Sequence, residues 1–125
     1  MRIYIDTNVY LDYFLNRQRA PYAFRVFRKS LKCYHQIILS NHAIVELTNI
    51  IEYSETRFLF ETLKHKIILV DIDDVDREEA KLLPTHYADA LHIVLAKKGS
   101  ADAIITNNIK DFQSIFKTYS PESFR

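Results

Sequence analysis

Four short apolar runs, each followed by a segment long enough for one or two helices, constrain this chain more than any other feature. Arg2 to Ile5, Gln36 to Leu39, Lys66 to Ile72 and Asp102 to Thr106 have strand length, and their interiors are apolar almost without a break. Strands that are apolar on both faces belong to parallel sheets, where crossover helices cover the two sides. The expected class is therefore α/β: a central parallel sheet of four to five strands in one domain, residues 1–125, with Lys117 to Tyr119 as the fifth strand.

The connecting segments carry helix signals. Asp6-Thr7-Asn8 are cap formers ahead of a helix from Val9 to Leu15, and Pro21 suits the first turn of a helix running to Tyr34. On that second helix Ala23, Phe27, Leu31 and Tyr34 recur at helical spacing and are expected to face the core, with Cys33 as a small core hydrophobe. Ser40-Asn41 caps a helix expected to reach Tyr53, and Ser54 a further one to His65. A short helix over Val75 to Leu83 follows. Pro84-Thr85 then opens a longer one with Tyr87, Leu91 and Val94 on its core face, ending at Lys97-Lys98-Gly99 with a basic last turn and a glycine stop.

Composition excludes several functions. One glycine rules out a phosphate-binding glycine loop or a dinucleotide turn, each of which needs several. One cysteine rules out an internal disulfide, a CxxC pair and a multi-cysteine zinc site. No apolar run reaches the roughly 18 residues of a membrane span, and the opening residues lack the apolar core of a signal peptide, so the expectation is a soluble, cytoplasmic protein without membrane contact. The net charge of +1 names no partner, but its distribution is uneven. Between Asp12 and Glu46 lie six basic residues and no acid, whereas Asp71 to Arg125 holds ten acids against seven bases. Arg25, Arg28, Lys29 and Lys32 share one helical face, either a solvated surface or a track for a polyanion's phosphates.

Ligands of parallel sheets sit beyond the carboxyl ends of the strands, so the polar residues there matter most. Asp6 closes the first strand, Glu46 lies in the helix after the second, Asp89 in the helix before the fourth, and Asn107, Asn108 and Asp111 follow the fourth. Taken singly, Asp6 reads as a helix cap, Glu46 and Asp89 as solvated helix positions, and His92 as a structural histidine. Taken together, three carboxylates around one cleft repel each other unless a cation stands between them. An all-oxygen donor set suits Mg²⁺ or Mn²⁺, ions that promote attack of water on a phosphate ester. Tyr10, Tyr13 and Phe14 lie on a helix expected to border that cleft, where aromatic rings can stack on bases.

Four segments resemble the PIN-domain ribonucleases, especially the toxins of VapBC-type toxin–antitoxin pairs. They are Ile5-Asp6-Thr7-Asn8-Val9, Ser40 followed by Glu46-Leu47, Tyr87-Ala88-Asp89-Ala90-Leu91-His92, and Ala101 to Phe112, and they span nearly the whole chain. The resemblance implies a three-layer α/β/α fold and a metal-dependent endoribonuclease with Asp6, Glu46 and Asp89 as catalytic acids. Asp6, Glu46, Asp89, Asn108 and Asp111 would hold Mg²⁺ or Mn²⁺, and Thr7 and Thr106 would face substrate, with Arg25 and Lys29 of the basic helical face as further candidate substrate contacts. RNA, a cognate antitoxin protein and a second copy of the chain are the implied partners. Many relatives carry Thr-x-Asp where this chain reads Thr106-Asn107-Asn108, so a neutral amide stands at the fourth ligand position and Asp111 is left to supply charge. That departure keeps a second reading open: a module with the same fold that binds RNA or a protein without turnover. A phosphoacceptor receiver domain, the third reading, needs an acidic pair after the first strand and a lysine after the fifth, and the chain offers neither.

Overall fold

The computed structural model describes residues 1–32 and 35–124, so the expectations for Cys33 and Tyr34 lie outside the described residues. Five parallel strands, β1 (Arg2–Ile5), β2 (Gln36–Ser40), β3 (Ile67–Val70), β4 (Ala103–Ile105) and β5 (Thr118–Tyr119), form one sheet in the order β3-β2-β1-β4-β5. The helices are α1 (Thr7–Phe14), α2 (Ala20–Lys32), α3 (Asn41–Thr48), α4 (Tyr53–Leu63), α5 (Asp74–Lys81), α6 (Tyr87–Lys98) and the single turn α7 (Ile109–Phe112).

Strand alternation sorts the core into two layers. Ile3, Ile5, Ile37, Leu39 and Ile105 point to one face, where Val9, Tyr10, Ala23, Phe27, Leu47 and Leu63 of α1 to α4 cover them. Tyr4, Ile38 and Ile104 point to the other, against Ile93, Leu95 and Ala96 of α6 and Phe112 of α7. The parallel sheet is the one expected from the apolar runs, and the three α/β/α layers are those that the family resemblance implies. Among the described residues no helix is long and apolar enough to cross a membrane.

Several local expectations shift. The buried stripe of α2 runs through Ala20, Ala23, Val26, Phe27 and Ser30, while Leu31 is 43% exposed. α3 stops at Thr48 rather than Tyr53, because Ile51 drops into the core and Glu52 turns extended to start α4. α6 begins at Tyr87, three residues after Pro84, and Thr85 instead donates a hydrogen bond to the Asp111 carbonyl. Its middle, Ala90 to Ala96, is buried all round, whereas Tyr87 is 44% exposed. Tyr10 sits in the core, stacked on Phe27 and edge-on to Phe60, and is not available for base stacking.

Gly99 ends α6 as expected, but for a different reason. Its φ is −81°, and the left-handed residue of this turn is Ser100, at φ 60°. A Cβ on Gly99 would lie 2.6 Å from Cγ2 of the buried Ile38, so glycine is required by close approach rather than by backbone angle. Gly99→Ala is expected to destabilise the fold by about 1–3 kcal/mol through overpacking, read as a lower urea midpoint at unchanged m-value.

Candidate metal-binding active site

The chain builds β1, β2 and β3 outward in one direction, then returns to lay β4 on the other side of β1. The strand order therefore reverses between β1 and β4, and such a reversal opens a crevice beyond the strands' carboxyl ends. Asp6 follows β1 and Thr106 follows β4. The Asp6 amide donates to the Ile105 carbonyl at 2.9 Å, and Thr106 Oγ1 donates to Asp6 Oδ2 at 2.8 Å. Both side chains are buried. Asp6 occupies the N-cap position of α1, yet its carboxylate makes no capping bond. The cap reading fails, and the carboxylate is aimed across the crevice instead.

α6 returns the chain to the opposite edge before β4, so its first turns lie at the carboxyl edge and bring Asp89 and His92 there. His92 is buried and reaches between the other acids: its Nε2 lies 2.9 Å from Glu46 Oε1 and 4.0 Å from Asp6 Oδ1. Thr7 Oγ1 donates to the same Glu46 oxygen at 2.8 Å, and His42 Nε2 approaches it at 3.6 Å. On the far side of the His92 ring, Nδ1 lies 2.6 Å from the Tyr4 hydroxyl, which is 2.9 Å from Ser40 Oγ. Ser40 in turn caps α3 through the Ala43 amide.

The electrostatics follow from these contacts. Burial works to raise the Glu46 carboxyl, but the hydrogen bond and charge of His92, with the Thr7 hydroxyl, outweigh it and hold the group below the usual carboxylate range. Burial works to lower His92, but its bond to Glu46 and the charges of Asp6, Glu46 and Asp89 keep it above an ordinary histidine. Asp89 is pushed up by burial first, then by the charges of Asp6 and Asp111, with His92 only partly compensating. Three carboxylates share the cluster with one buried histidine, and the like-charge repulsion shows at Asp89, which is pushed up.

The two asparagines after Thr106 separate. The Asn108 backbone N–H donates to Thr106 Oγ1 and its side-chain NH₂ donates to Asp111 Oδ2, so the pair Asn108–Asp111 stands together at the rim. Asn107 turns to Asp12 and Arg19, donating to Asp12 Oδ2 at 2.6 Å and accepting from Arg19 Nε at 2.9 Å. Arg25 and Lys29 are engaged with the C-terminal segment: Arg25 donates to the carbonyls of Pro121 and Glu122, and the Lys29 ammonium lies over the Phe124 ring.

A family model described as PIN domain matches residues 2–110. The chain belongs to the PIN-domain family. Among solved structures, the PIN domain here is similar to VapBC2 from Rickettsia felis bound to a promoter DNA fragment (TM-score 0.68, 16% identity, covering 96% of this chain and 98% of that one). It is similar also to a toxin–antitoxin complex from Klebsiella pneumoniae (TM-score 0.65, 20% identity, 98% and 99% covered) and to VapBC-1 from nontypeable Haemophilus influenzae (TM-score 0.64, 16%, 98% and 99%). At these identities the likeness establishes the fold. No curated protein matches the sequence.

The residue that sequence reasoning undervalued in this PIN domain is His92. Its signal was present: it lies three positions after Asp89, one turn along the same helix. The Tyr4–Ser40 pair behind it carried no signal, since a tyrosine inside a strand reads as core.

Proposed function

We propose that this PIN domain is a metal-dependent endoribonuclease and the toxin member of a toxin–antitoxin pair. The observation that carries the reading is the buried Asp6 carboxylate, oriented by Thr106 at the β1/β4 crevice with Glu46 and Asp89 as its acidic company. The donor set fits a hard divalent ion: carboxylate oxygens in excess of the local cations, with the deficit showing at Asp89. Asp6, Glu46 and Asp89 would hold Mg²⁺ or Mn²⁺, with Asn108 and Asp111 contributing from the rim. Such an ion, when bound, supplies positive charge to the scissile phosphate and acidifies the attacking water. The protein's own part is orientation: Thr106 fixes Asp6, while Thr7 and His92 fix Glu46 in its ionised form.

RNA as substrate is supported by the family and by the basic face of α2, where Arg28 and Lys32 are exposed beside Arg25 and Lys29. An antitoxin is supported by the structural relatives, which are toxin–antitoxin complexes, and by the groove between α1 and α4, where Tyr13, Phe14, Phe58 and Leu59 stand beside Asn16, Ser54 and Glu55 and a partner segment would cover them. Val45, Ile50, Tyr53 and Leu69 are exposed apolar side chains that a homodimer contact would cover.

The test is an RNA cleavage assay on chelator-treated protein during Mg²⁺ and Mn²⁺ titration. Cleavage that appears with metal and is lost on renewed chelation is the expected result. RNA binding at saturating Mn²⁺ with no cleavage would favour the non-catalytic module, the reading that Asn108 at the fourth ligand position keeps in view.

A further inference from the structure

His42 and His92 place beside Glu46 two nitrogen donors that the all-oxygen reading does not use. Their ligand atoms, two imidazole nitrogens and a carboxylate oxygen, lie within 4.8 Å of one another. His42 and Glu46 are four residues apart on α3, and the His42 ring centroid is 5.3 Å from that of His92. We propose that His42 Nε2, Glu46 Oε1 and His92 Nε2 constitute a second metal site, one that selects a borderline, imidazole-preferring ion such as Zn²⁺.

Three observations carry this. The first is the donor chemistry. Two histidines and a glutamate with a fourth position left for water is a zinc-type ligand set, whereas Mg²⁺ avoids imidazole. The second is spacing. Ligands about 2.0–2.1 Å from a tetrahedral ion sit about 3.3 Å from one another, and the two distances to Glu46 Oε1, 2.9 Å from His92 and 3.6 Å from His42, bracket that value. The third is that the surroundings are already arranged for it. His42 Nε2 is shielded from solvent and makes no hydrogen bond, its nearest charged neighbour being Glu46 Oε1 at 3.6 Å, so one prospective ligand has a buried nitrogen with its hydrogen-bonding capacity unused. His92 has its Nδ1 against the Tyr4 hydroxyl, and Tyr4 is itself fixed by Ser40. A metal-bound histidine needs such an outer partner to hold its tautomer and ring orientation. The proton that His92 Nε2 shares with Glu46 leaves to solvent when the ion enters.

Glu46 belongs to both ligand sets, so a zinc-type ion would draw a carboxylate away from the hard-cation site. That consequence rests on the reading given under Proposed function; binding itself does not.

The experiment uses the full chain, freed of metal by chelator and titrated with Co²⁺, whose visible absorption separates four- or five-coordinate nitrogen-containing sites from hydrated all-oxygen ones. One equivalent of Co²⁺ is expected to give the strong visible bands of the former, and Zn²⁺ to abolish them by displacement. Asp89→Asn should keep the bands, because Asp89 is outside the set. Tyr4→Phe should weaken Co²⁺ binding by about 10–100-fold through loss of the outer partner, and His42→Ala by at least as much. Circular dichroism checks that each variant is folded, with His42→Gln replacing the alanine variant if that one is not. A weak, hydrated-type Co²⁺ spectrum in the unaltered chain, or full bands in a folded His42 variant, would overturn the proposal. Because absorption is read without RNA, absence of cleavage leaves this site standing, and cleavage without the bands removes this site alone.

Discussion

Asp6→Asn should lower metal-dependent RNA cleavage by about 10²–10³-fold while leaving the fold intact, the size of loss typical when one fixed electrostatic group is taken from an active site. Asparagine keeps the shape of the side chain, and its carbonyl oxygen can still accept from Thr106 Oγ1, so the packing at the end of β1 survives. What disappears is the charge at the crevice. Asp12→Asn provides the control, since Asp12 is also a buried aspartate but is spent on the Asn107 amide and on Arg17 at 3.6 Å. That change should cost stability and far less cleavage. Equal loss of cleavage in the two variants, at matched folded fraction, would show that the Asp6 effect is structural.

Phe112→Ala is expected to cost about 3–5 kcal/mol, the largest stability effect considered, out of the roughly 5–15 kcal/mol that holds a domain of this kind together. Phe112 is fully buried at the end of the four-residue α7, packed in the layer that contains Tyr4, Ile104 and Ile93. A single helical turn has no stability of its own and depends on the ring that anchors it. The same turn carries Asp111, bonded to Asn108, so truncation should loosen the rim of the crevice as well. Urea unfolding gives the first effect. A weaker apparent Mn²⁺ affinity in the folded fraction gives the second, and a variant as stable as the parent would contradict the anchoring role.

The apolar runs at 2–5, 36–39 and 102–106 were legible because strands buried on both faces leave no polar positions to confuse the period. Helix ends were less so: the stop of α3 depends on Ile51 finding space under α4, a tertiary fact with no local signal. The three acids stood out in sequence only as a group, because the constraint that joins them is the strand order. Asp6 alone has the look of a cap, and only the adjacency of β1 and β4 reveals that its carboxylate points elsewhere. His92 was hidden for the opposite reason. A buried imidazole is ordinary, and what sets this one apart is the pair of groups at its two nitrogens, Glu46 and Tyr4, from two other elements.

The hydrogen bond from Thr106 to Asp6 joins residues 100 apart in the chain. Domains are synthesised from the amino end, and contacts of such long separation form only after the intervening chain has closed. A ribosome that has released Asp6, Glu46 and Asp89 has therefore made three acids of the site but not the strand that orients the first of them. β4 can be inserted beside β1 only once the residues between them have been made, so the crevice remains unfinished until then. Under the ribonuclease reading proposed above, that order of assembly would withhold the finished crevice until β4 has been made.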